Sequence, residues 1–374
     1  MKRWLILLSA LLLTAQLAAA GQPADGDPRL AGLRLPAGFR IQIYADGVSE
    51  ARSLALGDDG TVYVSSLNRG KVYAVQPDRN GDGRGDGVRV IASGLDAPNG
   101  VTVLKGDLYV AETSRILRYR DIARQPQQKP DTVYDRLPTE SHHGNRYLRA
   151  GPDGKLYVSI GAPCNICDPG DPYAALARLD PAGRHFEIIA RGIRNTVGFD
   201  WQPGSGELWF TDNGRDWLGD DLPPEELNRL PRPGLHFGYP YCHADDILDP
   251  KFGKDRSCAD FTPPAWKFPA HIAPLGMRFY NGGQFPAEYR EQLFVAQHGS
   301  WNRSRKQGYQ VRLVRFSNGK PVADQPFIEG WLDAKEKVSG RPVDVLPLPD
   351  GTLLVSDDLN GVLYRVRYEA PAPR

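Results

Sequence analysis

The sequence predicts an all-β fold, a six-bladed β-propeller. A similar unit recurs along the chain: an apolar strand, a turn containing glycine, a second strand with an aromatic residue near its middle, and a third strand. The strands show the two-residue alternation of half-buried β-structure. Six such units spread through the chain favour radial repetition over a β-sandwich, because a ring leaves only short sheet edges.

The units follow one another with insertions of different length. They read LALGDDGTVYVSSLNRGKVYAVQ, GVTVLKGDLYVAETSRILRYR, YLRAGPDGKLYVSIGAP, VGFDWQPGSGELWFTDN, LGMRFYNGGQFPAEYREQLFVAQHGS and VDVLPLPDGTLLVSDDLNGVLYRV. Equivalent positions, 46 to 85 residues apart, are Tyr63, Tyr109, Tyr157, Trp209, Phe294 and Leu354. The segment Gly38 to Gly47 also alternates, so we expect it to pair with the last blade and close the ring.

The ends of the chain are predicted to lie outside the propeller. Residues 1–20 have a basic start, an apolar run and a small-residue exit ending at Ala20, which is the pattern of a cleavable secretory signal. The apolar run is short for an uncleaved membrane anchor. We therefore expect a periplasmic or secreted protein without stable membrane insertion. It would have flexible segments at 21–35 and 369–374 around a catalytic propeller at 36–368.

Composition excludes some partners. The 374 residues are 41% hydrophobic, which is enough for a large core. The formal net charge of +1 gives no sign of the basic surface that nucleic-acid binding needs.

Four cysteines in an exported chain predict disulfides before metal sites. Three pairings are possible, and we favour Cys164 with Cys167 and Cys242 with Cys258 because each pair is local. Haem attachment through the CNIC segment is disfavoured, because Asp168 stands where the histidine is needed.

The loop DRNGDGRGDG resembles an EF-hand calcium loop in its first half. Asp78, Asn80 and Asp82 occupy alternate positions and Gly83 the sixth, but the twelfth position is Arg89 instead of glutamate. The sequence is compatible with two hypotheses for this loop: a structural calcium site and a solvated acidic turn.

Polar residues recur where blades begin and where their second strands end, which is where propellers gather functional loops at one channel mouth. These positions hold Ser141 to Arg146, Arg194 and Asn195, Asn213 to Arg215, His298 to Arg303, and Gly340, Arg341 and Asp344. Converging arginines suit a multiply charged anion, and a histidine can accept a proton from a hydroxyl. Together they predict an anionic cofactor with a general base, although any one of these residues alone is more often a turn or solvated residue.

These residues and motifs resemble a known family over nearly the whole mature chain. The similarity rests on LPAGFRIQIYA, HHGNRYLRAGPDGKLYVSIGAPCNIC, GIRNTVGFDWQPGSGELWFTDNGRD, FGYPYC, HIAPLGMRFY, HGSWNR and GRPVDVLPLPDG. They resemble the quinoprotein soluble aldose dehydrogenases, most closely the sorbosone dehydrogenase-like branch, which includes pyranose dehydrogenases that use pyrroloquinoline quinone (PQQ). The resemblance implies a six-bladed propeller with PQQ and Ca²⁺ at the channel mouth.

The resemblance also implies cofactor contacts. His142 matches the family's base, with His143 as the register alternative, and Arg194 with Asn195 matches the pair that contacts the quinone. Asn213 follows the same fourth-blade hairpin. Arg341 matches one arginine of the last blade, but Val343 replaces a second one. The family's fifth-blade lysine has no match; we assign its charge to Arg303, and Trp301 would stack on the quinone or the sugar.

For calcium, the resemblance implies backbone carbonyls at Gly214 and Arg215, where the family usually has proline at the second position. Its acidic element matches Glu225 and Glu226, displaced by an insertion that contains Asp220 and Asp221. Which carboxylates face the metal stays open.

The resemblance predicts an enzyme that oxidises an aldose-like sugar at its anomeric hydroxyl and passes the electrons to an external cytochrome or quinone. Two alternatives remain: a calcium-dependent lactonase-type hydrolase and a propeller that binds a partner without catalysis.

Overall fold

Short alternating segments separated by tight turns produce the 27 strands of the structure, a computed structural model that describes residues 26–370. The predicted signal at 1–20 lies outside these residues. The strands are β1 (Phe39–Ala45), β2 (Leu54–Leu56), β3 (Val62–Ser65), β4 (Val72–Val75), β5 (Val88–Ala92), β6 (Gly100–Leu104), β7 (Asp107–Ala111), β8 (Ile116–Tyr119), β9 (Asp131–Tyr134), β10 (Leu148–Ala150), β11 (Leu156–Ile160), β12 (Ala175–Leu179), β13 (Glu187–Arg191), β14 (Phe199–Trp201), β15 (Leu208–Asp212), β16 (Glu225–Leu230), β17 (Leu235–His236), β18 (Cys242–His243), β19 (Ile247–Leu248), β20 (Trp266–Phe268), β21 (Pro274–Phe279), β22 (Leu293–Gln297), β23 (Gln310–Ser317), β24 (Lys320–Ile328), β25 (Pro342–Pro347), β26 (Leu353–Asp357) and β27 (Val362–Tyr368).

Six antiparallel sheets form the blades, which confirms the predicted propeller. Blade 1 contains β2–β5, blade 2 β6–β9, blade 3 β10–β13 with β17 added in parallel, blade 4 β14, β15, β16 and β20, blade 5 β21–β24, and blade 6 β25–β27 with β1. Second strands such as β3, β11 and β15 are buried along their whole length, whereas β5 and β24 expose many side chains. The sequence predicted three strands per unit and missed the outer fourth strand of blades 1 to 5.

The ring closes between the two ends of the propeller, as predicted for the segment from Gly38 to Gly47. Strand β1 pairs with β27 from Phe39 opposite Tyr368 to Ala45 opposite Leu363. Phe39 is 1% exposed, and its ring packs edge-on against four aromatic rings: Phe285, Tyr289, Phe327 and Tyr368. The closing strand therefore also contributes to the core that joins blades 5 and 6.

The segment 21–35 was expected to be loose, but the structure packs much of its second half. A short 3₁₀ helix, Pro28–Leu30, precedes Leu33 and Leu35, and all three leucines are buried in the core that contains Phe39. Arg34 also bridges Glu329 through the backbone. Three buried leucines tie this segment to the propeller, because their burial contributes to the same core as the closing strand.

Both disulfides join the predicted partners: Cys164 with Cys167, and Cys242 with Cys258. The first lies in the loop between β11 and β12. The second ties the small hairpin β18–β19 to a 3₁₀ helix, Cys258–Asp260, within the insertion of blade 4. A third 3₁₀ helix, Ala287–Tyr289, lies between β21 and β22.

A buried charged group lies among the innermost strands. Asp344 of β25 accepts hydrogen bonds from the Leu54 amide at 3.0 Å and from Arg278 at 3.4 Å, and Tyr147 lies within 3.5 Å of it. All three side chains are buried. Asp344, selected from the sequence as a possible channel-mouth residue, thus joins blades 1, 3, 5 and 6 inside the core.

Within residues 26–370, no helix has the length and apolar character needed to span a bilayer.

Candidate functional site

A cavity of about 460 Å³ opens at one end of the propeller channel. Its walls come from equivalent places in the blades, namely the residues before the first strand and those after the second. The lining includes Glu50, Arg52, Asn68, His142, His143, Asn145, Arg194, Asn195, Asn213, Gly214, Asp216, Glu225, His271, His298, Trp301, Arg341 and Asp358. Blade 2 contributes none of these residues.

Most of the predicted site residues meet in this cavity. They are His142, Arg194, Asn195, Asn213, Gly214, Glu225, Trp301 and Arg341. They converge because loops at corresponding ends of radial blades face the same opening.

Other predicted residues lie outside the cavity lining. Arg303 donates to the carboxylate of Asp221 at 2.8 Å and to the backbone of Asp220. Arg215 donates to buried Asp249 at 2.5 Å. Glu226 follows Glu225 on strand β16, so its side chain points to the opposite face; there it accepts from the Ala244 amide at 2.7 Å.

The EF-hand-like loop is also remote from the cavity, because it connects β4 to β5. Asp78 accepts the amides of Gly81 and Gly83 and forms a 2.7 Å ion pair with Arg365. Burial alone would raise the pKa of Asp78, but Arg365 and the two amides outweigh it and lower that pKa. Asn80 and Asp82 close smaller turns beside it. Arg365 thus supplies the positive charge next to Asp78.

Arg194 is held rigidly in the cavity wall. Its side chain is 5% exposed and forms a 3.0 Å ion pair with Asp216. Its guanidinium also donates to the carbonyls of Asn165 at 2.9 Å and Asn213 at 3.1 Å. The backbone amides of Arg194 and Asn195 donate to Asp212, at 2.9 and 2.7 Å. Asp212 was not predicted; burial raises its pKa, and it fixes the turn that presents both residues.

His142 and His143 differ in their surroundings although their rings are 4.2 Å apart. The Nδ1 atom of His143 lies 2.8 Å from the carbonyl oxygen of Ala162, and burial with the charge of Arg194 lowers its pKa to about 2. His142 is exposed to the cavity, and partial burial and Arg194 lower its pKa as well. Both rings are therefore neutral at neutral pH, and His142 has the freer access to a ligand.

Asp358 connects three blades at the cavity wall. It accepts from Arg52 at 3.1 Å, from His298 at 2.9 Å and from Arg341 at 2.9 Å. Burial would raise the pKa of Asp358, but its hydrogen bond from His298 and the nearby arginines lower it. Burial lowers the pKa of His298 despite this carboxylate. Neither Arg52 nor Asp358 was selected from the sequence; Asp358 directly follows a second strand, which is the signal that could have found it.

The cavity wall has hydrogen-bond donors available for an anion. Arg341 uses its Nε on Asp358, and its two terminal amino groups contact no acceptor within residues 26–370. Its side chain is 40% exposed. This donor set fits the carboxylates of PQQ, because guanidinium groups bind carboxylates with two parallel hydrogen bonds.

The Gly214–Arg215 segment, whose first residue lines the cavity, offers oxygens for a cation. The Gly214 amide donates to Glu225 at 2.5 Å, while the carbonyl oxygens of Gly214 and Arg215 accept no hydrogen bond from the described part of the chain. Calcium prefers carbonyl and carboxylate oxygens, so these residues fit the ion.

The nearby carboxylates do not form one metal cage. Burial raises the pKa of Glu225 to about 8 and that of Glu226 in the same direction. Between residues 26 and 370, no three His, Cys, Asp or Glu side chains come together in metal-binding geometry. A calcium ion here would therefore rely on backbone carbonyls with Glu225.

The cavity rim carries two exposed tryptophans. Trp217 is 67% and Trp301 70% exposed, and their rings meet edge to face with centroids 5.5 Å apart. The loops that carry them are joined by Asn302, which donates to Asp216 at 3.2 Å, and by Arg303 on Asp221. Arg303 therefore joins the two rim loops that carry Trp217 and Trp301.

Comparison with known proteins gives a family match over most of the chain. The model of the family described as TrAA12-like matches residues 33–369. An uncharacterized protein of Borreliella burgdorferi is 32% identical, over 90% of this chain and 91% of its own. The aldose sugar dehydrogenase YliI of Escherichia coli is 24% identical, over 68% of this chain and 66% of its own.

Solved structures share the fold. The AA12-family enzyme of Trichoderma reesei has a TM-score of 0.79 at 20% identity, covering 90% of this chain and 98% of its own. The PQQ domain of the Coprinopsis cinerea pyranose dehydrogenase, in its holo form, has a TM-score of 0.76 at 20% identity, covering 93% and 100%.

Proposed function

Because the chain belongs to the TrAA12-like family, we propose that it is a PQQ-dependent sugar dehydrogenase that oxidises the anomeric hydroxyl of an aldose-like sugar. The family and the relatives named as PQQ-dependent pyranose and sugar dehydrogenases support PQQ-dependent oxidation of a sugar. The observation that carries the proposal is the convergence of Arg194, Asn195, Arg341 and His142 in one cavity.

Arg341 and Asn195 would hold the carboxylates and carbonyls of PQQ, with Arg194 as a fixed positive charge behind them. The Gly214 and Arg215 carbonyls would hold calcium. When bound, PQQ supplies a hydride-accepting carbonyl and calcium supplies Lewis-acid polarisation.

The base in this proposal is His142. Its ring is neutral at neutral pH and faces the cavity, so an unprotonated ring nitrogen can accept the proton of the sugar hydroxyl. His298 is a second candidate, because the Asp358 carboxylate orients its imidazole. The pH profiles of His142→Ala and His298→Ala distinguish the two candidate bases.

The sugar would reach the cavity past Trp301 and Trp217, whose exposed faces suit the apolar face of a pyranose ring. The electron acceptor would be an external cytochrome or quinone. The two disulfides fit an exported protein.

The test is reconstitution of the purified apoprotein with PQQ and calcium, followed by assays of several sugars with an artificial acceptor. We expect sugar oxidation only when both additions are present, and loss of activity on chelation that calcium restores. Failure of the apoprotein to bind PQQ would exclude this function. Turnover of sugar lactones without PQQ would point to a hydrolase.

A matched pair of arginine variants tests the cofactor seat. Arg341→Ala removes donors that face the cavity, so the dissociation constant for PQQ should rise by roughly tenfold or more, the value of a hydrogen bond between charged groups. Arg303→Ala removes a rim contact with Asp221 and should change that constant by much less. Equal effects from the two variants would instead support Arg303 as the substitute for the missing lysine.

A further inference from the structure

The disulfide loop Cys164–Cys167 contacts the cavity arginine from behind. Asn165, between the two cysteines, accepts Arg194 Nε through its carbonyl oxygen and Arg194 Nη2 through its Oδ1, both at 2.9 Å. Three of the four guanidinium contacts of Arg194 are thus fixed by Asn165 or by Asp216 beside it. From its own blade, Arg194 receives the Asn213 carbonyl and the Asp216 carboxylate.

Asn165 also fixes Asp216, the carboxylate partner of Arg194. The Asp216 amide donates to Asn165 Oδ1 at 2.8 Å, and Asn165 Nδ2 donates to the Asp216 carbonyl at 3.2 Å. One amide side chain therefore positions both members of the Arg194–Asp216 ion pair. Because hydrogen bonds to charged groups depend on geometry, movement of Asn165 would disturb both together.

The disulfide closes a four-residue loop around this asparagine, and the loop packs on Tyr239. The Cys167 amide donates to the Tyr239 hydroxyl at 3.0 Å, and that hydroxyl lies 3.5 Å from both the Asn165 carbonyl oxygen and Cys164 Sγ. Tyr239 is 3% exposed, so it is a fixed support. Both cysteines are half-buried, which leaves the disulfide within reach of a small reductant.

We propose that Asn165 is a positioning residue for the anion seat and that the Cys164–Cys167 disulfide makes this seat sensitive to dithiol reductants. A dithiol supplies two electrons and two protons; the Sγ–Sγ bond breaks, two thiols form, and the reductant becomes a disulfide. The freed loop no longer fixes Asn165, so Arg194 loses its preorganisation and PQQ binds more weakly. This inference rests on the proposed function, because it assigns Arg194 to the quinone.

The test measures PQQ affinity directly, by equilibrium dialysis of the apoprotein with calcium. Dithiothreitol-treated protein is freed of reductant under anaerobic conditions before PQQ is added, because thiols react with quinones. We expect the dissociation constant to rise roughly tenfold on reduction, as for the loss of one hydrogen bond to a charged group. The Cys164→Ser/Cys167→Ser variant should have the dissociation constant of the reduced protein, and dithiothreitol should not change it. In the Cys242→Ser/Cys258→Ser variant, dithiothreitol should still raise the dissociation constant.

Variants of Asn165 make the test independent of the cysteines. Asn165→Ala should weaken PQQ binding by a similar factor while leaving the KM for the sugar near its original value. Asn165→Asp, which keeps an oxygen for Arg194 and the Asp216 amide, should recover most of the affinity. An unchanged dissociation constant in reduced protein and in Asn165→Ala would overturn the inference alone; absence of PQQ binding to the oxidised protein would overturn the proposed function instead.

Discussion

At the scale of single residues, the two adjacent histidines of the cavity show how surroundings separate similar side chains. His143 is half-buried and lies within hydrogen-bond distance of the Ala162 carbonyl, whereas His142 is exposed to the cavity. For a base, the neutral form is the active one. A lowered pKa keeps His142 in that form at neutral pH and confines its protonation to more acidic solutions.

The pH dependence of the proposed reaction should reflect this lowered pKa. We expect kcat/KM to be at its plateau at neutral pH and to fall only as pH drops below the ordinary histidine value of 6.5. His142→Ala should lower kcat by about 10²–10⁴-fold and remove that acidic limb. His185→Ala, an exposed histidine paired with Asp180, is the control. Retention of the limb in His142→Ala and its loss in His298→Ala would identify His298 as the base.

The sequence could predict which residues line the cavity where their position relative to a blade's strands decides it. His142, Arg194 and Arg341 stand before first strands and Asn213 after a second strand, so strand periodicity alone places them at one mouth. The ion-pair partners of these side chains could not be predicted, because the partners lie in loops that are distant in the sequence. Arg303 pairs with Asp221, 82 residues away, and Arg52 with Asp358, 306 residues away.

At the scale of elements, burial explains which strands the sequence reveals. Inner strands such as β15 are buried on both faces or alternate clearly, and they were recognised. The outer strands of blades 1 to 5 were missed because they touch the core on few residues: β24 buries only its last two, Phe327 and Ile328. An exposed edge strand has little apolar pattern to distinguish it from a loop.

The closing strand β1 should depend strongly on Phe39. Phe39→Ala removes a fully buried ring that contacts four other aromatic rings, so it should lower the free energy of unfolding by about 3–5 kcal/mol, measured by denaturant titration. Val322→Ala on β24, where the valine is 56% exposed, is the control and should have little effect. A small loss for Phe39→Ala would mean that β1 adds little to ring closure.

At the scale of the whole molecule, the buried group of Asp344, Arg278 and Tyr147 joins four blades through one carboxylate. Removing a single charged partner leaves the other uncompensated in the core, which is costlier than removing both.

Asp344→Ala should therefore lower the free energy of unfolding by about 3–5 kcal/mol by leaving Arg278 unpaired. The double variant Asp344→Ala/Arg278→Leu should recover part of that loss. A double-mutant cycle from denaturant titrations measures the coupling. Additive losses would show that Asp344 acts through its hydrogen bonds to the backbone instead.

The pairing of β1 with β27 also has a topological consequence. The chain enters and leaves the propeller side by side, with Phe39 opposite Tyr368 and the Glu369 amide bonded to the Gly38 carbonyl. A short peptide joining these two strands would turn them into an ordinary hairpin. New ends could then be placed at the exposed turn around Asn318 and Gly319, which does not line the cavity. The blade with which the chain begins can thus be changed, while the order of the blades around the ring stays the same.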